Sequence, residues 1–264
     1  ILFKNHAMST YKHILAKSPA NGGTSIKDHI LSVAKYSEIA ASYFRLELEI
    51  ARTGALIHDI GKVSPLFQRK LKKGYYPSPQ EMNFRHEIAS IFFLPLIDKE
   101  IWPPAIDMII AHHKSIGKDA RELGLLDLDY YYGDDVFNFH ATEFNVWSKD
   151  AIGLLRELGI EGKEITSCEA YNAYVFAVNH CKTKGKGWSH WNGLFVSIDH
   201  IASAVVNNDD NIPKLFSLPR LDFYNRKDKL YPLSLISSDI KKKHTFVKAP
   251  TGAGKTDFLL KRCR

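Results

Sequence analysis

The stretch that decides the fold reads Ala51-Arg52-Thr53-Gly54-Ala55-Leu56-Ile57-His58-Asp59-Ile60-Gly61-Lys62. Ala51, Gly54, Ala55 and His58 stand at i, i+3, i+4 and i+7, one face of a helix predicted over residues 47–60 and stopped by Gly61. Small residues on that face let a second helix backbone come close and leave room beside the imidazole. The geometry suits a metal site at a helix junction.

Working outward, the same grouping recurs. His86 has Ala89 and Ser90 at i+3 and i+4 on a helix opened by Ser78-Pro79-Gln80-Glu81 and predicted to run towards Pro95. Serine as N-cap, proline at the first position and glutamate at the third form a capping signature. His29 lies on an earlier helix, where Ile26, Ile30, Val33, Ala34, Ala41 and Phe44 keep helical spacing after the Gly22-Gly23-Thr24-Ser25 turn and cap. A further helix opens at Pro103-Pro104 and reaches His112-His113. Five of the twelve histidines therefore fall on four successive helices. Core packing does not need that pattern.

Imidazole and carboxylate together suit divalent transition metals better than calcium. Neighbours on a helix point about 100° apart, so the doublets His58-Asp59 and His112-His113 are easier to satisfy around two ions, with Asp59 bridging, than around one. Manganese, iron, cobalt and nickel are the expected ions, with zinc and magnesium as further candidates.

Residues 117–145 break the periodicity and carry Asp127, Asp129, Asp134, Asp135 and the Tyr130–Tyr132 cluster. They read as a surface insertion. Helices are again predicted over 146–158, 167–180 and 194–206.

With 45% apolar and 25% charged residues, the 264-residue chain can bury a sizeable core. No run of about 18 apolar residues marks a spanning helix, and no secretory signal is seen at the start. Cys168, Cys181 and Cys263 lack C-x-x-C spacing and read as reduced thiols of a cytoplasmic protein. The net charge of +7 is unevenly placed: residues 212–264 hold 13 Lys and Arg against four Asp, leaving the body at −2. The chain is therefore expected to be composite: residues 1–10 a tag or N-terminal extension, 11–211 the helical domain, 212–244 a basic linker and 245–264 the start of another domain.

That last segment has a short predicted strand, Thr245-Phe246-Val247-Lys248, leading into Ala249-Pro250-Thr251-Gly252-Ala253-Gly254-Lys255-Thr256. Only the first position departs from the phosphate-binding loop pattern G-x-x-x-x-G-K-[ST]. Gly252, Gly254, Lys255 and Thr256 are the nucleotide-binding candidates, with backbone N–H groups cradling phosphates, lysine reaching the terminal oxygens and threonine on magnesium. Eight residues after Thr256 cannot build the sheet and acid that such a loop needs, so ATP and magnesium are expected to serve only a longer parent chain.

The order His29, His58-Asp59-Ile60-Gly61-Lys62, His86, His112-His113 and a late aspartate resembles the HD phosphohydrolase superfamily. More narrowly, Leu15-Ala16-Lys17-Ser18, Arg85-His86-Glu87, the doubled histidine and Asp199-His200-Ile201-Ala202-Ser203 resemble the HD nuclease domain of the CRISPR-associated nuclease-helicase of type I systems. The loop at 249–256 resembles the first motif of superfamily 2 helicases. The resemblance implies an all-α HD-domain bundle with a metal site between helices, followed by a basic linker and the first strand and loop of a truncated RecA-like domain. It also implies an endonuclease or exonuclease active on single-stranded DNA in antiviral defence, working with the helicase domain of the same polypeptide and an RNA-guided surveillance complex. His29, His58, Asp59 and Asp199 would then surround one metal, and Asp59, His86, His112 and His113 the other. Asp209, Asp210 and Asp222 compete less well with Asp199, which lies in an apolar helix.

Asp59 and Lys62 are the catalytic candidates. Lys62 would neutralise charge on the reacting phosphate, and the competing reading makes it an ordinary cation at a helix C-terminus. Lys182, Lys184 and Lys186 with Trp188 and Trp191 could form a platform for single-stranded DNA, or a solvated loop whose tryptophans dock on the bundle. Two other functions fit a helical domain of this kind: a nucleotide or cyclic-nucleotide phosphohydrolase, and a non-catalytic module that docks a helicase onto a surveillance complex.

Overall fold

The computed structural model describes residues 11–111, 133–184 and 189–204, and near the C-terminus 233, 247–251, 253–255 and 258. The chain divides into two compact units, Ile1–Pro213 and Lys214–Arg264. Among the described residues the first unit is helical. Its β-structure there is a single antiparallel bridge between Leu15 and Ser25, and no helix is long and apolar enough to cross a membrane.

Helix α1 (Ile26–Phe44) starts where the Ser25 hydroxyl accepts the Asp28 N–H, and it ends at Arg45 in a left-handed conformation, φ 56°. Such a cap contributes about 1 kcal/mol. Its buried face of Ile26, Ile30, Val33, Ala34 and Ala41 packs on α2 (Leu48–Ile57) and α10 (His190–Ala204). Both of those pack on α6 (Trp102–Ala111). Gly54 permits the α2–α6 approach, since a Cβ there would lie 1.9 Å from Met108 Cε.

The helix predicted over 47–60 is shorter than expected. It stops at Ile57, and Ile60–Val63 form a separate 3-10 turn after Asp59, whose φ of −110° and ψ of 4° leave the helical region. A short helix that the sequence reading missed, α3 (Pro65–Lys70), follows at once, capped by the Ser64 hydroxyl on the Leu66 N–H.

The helix predicted from Ser78 towards Pro95 is two helices. The capping box is present as read, but it opens one turn, α4 (Pro79–Met82), before the chain turns out at Asn83 and Arg85 becomes extended. A second helix, α5 (His86–Ile91), then begins at the histidine itself.

The last part of the surface insertion expected over 117–145 is helical instead, while residues 117–132 lie outside the described residues. Residues 133–140 form α7 (Gly133–His140), with Phe137 and His140 buried. Phe137 meets Phe92 and Tyr174 at ring centroid distances of 5.1 and 5.8 Å. Asp134 and Asp135 are exposed, while Phe137 and His140, three residues apart, face in. Helices α8 (Phe144–Glu157) and α9 (Ser167–Lys184) complete the bundle.

Of the strand expected over 245–248 in the second unit, Thr245 and Phe246 lie outside the described residues, and Val247 and Lys248 show no strand pairing among the described residues. Gly254 has φ 86°. Lys255 Nζ donates to the carbonyls of Ala249 and Pro250 at 2.8 and 2.9 Å, so the lysine folds back over the loop. Gly252 and Thr256 lie outside the described residues.

Candidate metal centre

Asp59 is the hub. It is fully buried where α2 has ended and the 60–63 turn begins. Its Oδ2 lies 3.0 Å from His29 Nε2, 3.3 Å from His58 Nε2 and 2.6 Å from Lys62 Nζ. Its Oδ1 lies 3.1 Å from His86 Nε2. Asp199, on α10, closes the far side with Oδ1 3.4 Å from His29 Nε2. One ligand atom from each of His29, His58 and Asp199 lies within 4.8 Å of the others.

Local folding aims these groups. His58 is fully buried at the C-terminal end of α2, and its Nδ1–H donates to the Ala55 carbonyl at 2.7 Å. A carbonyl only accepts, so in the neutral ring the Nε2 lone pair faces Asp59. This second hydrogen bond is what fixes the tautomer of a metal-binding histidine. Phe195 of α10 lies edge-on to the ring, 4.9 Å between centroids. His86 is carried by the first turn of α5, against which the 60–63 turn sits so closely that a Cβ on Gly61 would be 2.1 Å from the His86 carbonyl oxygen. The Gly61 N–H donates to Ser90 Oγ at 2.9 Å, so the small Ala89-Ser90 face is used as the sequence pattern predicted.

Electrostatics separates the histidines. Burial and the neighbouring Lys62 ammonium push His86 down to about 4, leaving it neutral and able to bind a metal. Burial also opposes charge on His29, but hydrogen bonds to Asp199 and Asp59 outweigh it and raise its pKa above the ordinary value. Lys62 is 9% exposed, and its ammonium lies 5.7 Å from the centroid of Phe67. It belongs to the buried cluster and not to a solvated helix end.

A donor set of three imidazoles and two carboxylates fits a divalent transition metal. The set includes a lone pair and a carboxylate facing each other at 3.3 Å, an approach of two acceptors that a cation would resolve. Thus the residues expected around one ion, His29, His58, Asp59 and Asp199, do come together, and His86 shares Asp59 with them. His112 and His113 lie outside the described residues, as do Asp209, Asp210 and Asp222.

The proposed DNA platform fares differently. Lys182 is exposed, but Trp191 is buried at 6% exposure, so its face is withdrawn from any base. Lys184 ends α9, while Lys186 and Trp188 lie outside the described residues. Groups that the sequence reading passed over include Phe195 and Phe67, and it gave Glu87 no role beyond its place in the Arg85-His86-Glu87 motif. Glu87 is buried at 3% exposure and paired with Arg85 Nε at 2.7 Å.

Residues 26–136 match the family model of the HD domain. No match is found among curated proteins or among solved structures. The matched segment contains His29, His58, Asp59 and His86. Asp199 comes to the same centre from beyond it. The chain thus contains an HD domain at residues 26–136, which supports a metal-dependent hydrolase whose His/Asp cluster fits a metal site.

Proposed function

We propose that this chain is a metal-dependent nuclease that hydrolyses phosphodiester bonds in single-stranded DNA, the HD part of a CRISPR-associated nuclease-helicase. The convergence of His29, His58, Asp59 and Asp199 from three separate parts of the chain carries the hydrolytic reading. The ordered motifs at 15–18, 85–87, 112–113 and 199–203, and the phosphate-loop sequence at 249–256, favour DNA over a free nucleotide. A cleft of about 420 Å³ is lined by Lys72 and Lys73 against the single acid Asp150, and by Val63, which follows Lys62 in the chain. A cleft with two lysines and one acid suits a polyanion.

His29, His58, Asp59, His86 and Asp199 would hold the ion or ions, with His112 and His113 completing the set. A divalent ion bound there would lower the pKa of water and take up negative charge from the phosphate. The protein's own part is preorganisation. Ala55 holds the His58 tautomer, burial keeps His86 neutral, and Asp59 holds the two histidine groups in register. Lys62, fixed by Asp59 at 2.6 Å, sets a positive charge beside the hub where an incoming phosphate needs it.

The test is incubation of single-stranded circular DNA with the purified chain and Mn²⁺, Ni²⁺ or Co²⁺, beside His58→Ala and Asp59→Ala. Nicking by the parent alone is expected. Equal nicking by all three would remove the nuclease from this site, and turnover of a nucleotide panel without nicking would replace DNA as substrate.

A further inference from the structure

His140 stands at the end of α7, 3% exposed, and among the described residues its hydrogen-bond partners are Val136 and Arg85 rather than the groups around Asp59. Its Nδ1 lies 2.7 Å from the Val136 carbonyl, which can only accept, so the ring proton sits on Nδ1. Its Nε2 is then a lone pair, and it accepts the Arg85 backbone N–H at 2.9 Å. Arg85 is the N-cap of α5, and the first residue of that helix is His86. The N–H groups at a helix start have no partner within the helix.

The ring is also held from the side. It stacks on Phe84 with centroids 5.1 Å apart and planes at 25°, and Phe139 meets it edge-on at 5.2 Å. Burial pushes the imidazole down to about 4, so the acceptor persists at physiological pH. The break after α4, the extended Arg85 and the start of α5 are thus tied to a side chain 55 residues away.

We propose that His140 is a positioning residue for the metal centre, holding the start of α5 so that His86 Nε2 meets Asp59 Oδ1. The inference rests on His86 being a ligand, and on the side chain of α7 acting through the Arg85 backbone.

The experiment is calorimetric titration of the metal-free protein with Mn²⁺, well below the melting temperature, for the parent, His140→Phe, His140→Asn, His86→Ala and His86→Ala/His140→Phe. Phenylalanine keeps the stacking and loses the acceptor, whereas asparagine restores an acceptor. A loss of Mn²⁺ affinity of roughly 10- to 100-fold is expected for His140→Phe, the range seen for groups that orient a ligand. His140→Asn should recover part of it, and His140→Phe should cost nothing further once His86 is alanine. Unchanged affinity in His140→Phe, beside a loss in His86→Ala, would overturn the positioning role alone. Unchanged affinity in His86→Ala would overturn the ligand reading beneath it. Should His140→Phe not fold, nitrogen-15 NMR of the parent decides: a protonated Nδ1 and bare Nε2 on His140 are expected, and the opposite tautomer overturns the proposal.

Discussion

Asp59 and Asp107 are both buried aspartates, 0% and 2% exposed, each with a histidine Nε2 at 3.0 Å. Around Asp107, on α6, the neighbours are donors: Ser189 Oγ gives its proton to Oδ2 at 2.5 Å, and His180 Nε2 meets Oδ1. Ser189 in turn receives the Asn192 N–H and so starts α10. Around Asp59 the neighbours are three Nε2 atoms and one ammonium, and the His58 ring has already given its Nδ1 proton to Ala55. Similar residue types thus make a structural pin in one place and a cluster that fits a metal ion in the other. One difference is where His58 sends its proton: to a backbone carbonyl, which leaves Nε2 facing the carboxylate as a lone pair.

The comparison breaks most visibly on adding metal. A ligand at 100 times its dissociation constant stabilises the native state by about 2.7 kcal/mol. Mn²⁺ or Ni²⁺ should therefore raise the melting temperature of the parent by several degrees and that of Asp59→Ala not at all. Asp107→Asn should still respond. A lost response in the Asp107 variant, measured by differential scanning calorimetry, would mean that both aspartates serve the ion.

Asp107→Ala should instead cost intrinsic stability. Leaving the His180 and Ser189 donors without their buried acceptor is expected to cost about 3 kcal/mol, lowering the melting temperature of the metal-free protein by roughly 10 °C. Metal affinity of the folded fraction should stay within about threefold of the parent.

Two glycines sharpen the same contrast. An alanine at Gly61 would face backbone atoms of α5, the His86 carbonyl at 2.1 Å and the Ser90 nitrogen at 2.7 Å, which cannot yield without moving His86. An alanine at Gly54 meets only the end of the flexible Met108 side chain. Gly61→Ala is expected to cost about 2–3 kcal/mol and to weaken Mn²⁺ binding, whereas Gly54→Ala should cost less and leave binding alone. Chemical denaturation and calorimetry read both.

The smallest effect is on pH. His86 and His140 have native pKa values near 4, below the unfolded value of 6.5. The unfolded chain therefore binds more protons between about pH 6.5 and 4, and stability of the metal-free protein is lost as pH is lowered through that window, by at most about 1.4 kcal/mol per unit for each ring. His29 acts oppositely, because its raised pKa makes its contribution present at low pH and lost as pH rises through the native value. Around His140, Glu87 favours the proton while Arg85 and Lys70 disfavour it. Replacing His140 with asparagine should flatten the acid limb seen in denaturation at pH 4.5, 5.5 and 6.5; an unchanged limb would assign it elsewhere.

How much of this was legible in the sequence follows from distance along the chain. His58 and His86 stood out because small residues at helical spacing marked their faces locally, and Asp199 because its helix was apolar. Asp107 gave no signal, since its partners His180 and Ser189 lie 73 and 82 residues away. His140 was hidden in a segment whose acidic and tyrosine-rich neighbours masked one buried helical turn. The division of the third predicted helix escaped for the same reason, because the Arg85 N–H is claimed by His140 and not by a local carbonyl. Local periodicity reports faces, but it cannot report which distant group will claim a helix end.

Asp59 and its histidines are expected to hold a divalent cation. Metal content, measured by plasma mass spectrometry after loading with Mn²⁺ or Ni²⁺ and desalting, tests it most directly. One to two ions per chain are expected for the parent and for Asp107→Asn, and none for Asp59→Ala. An ion-free parent, or an Asp59→Ala variant that keeps the parent's full complement, would contradict it.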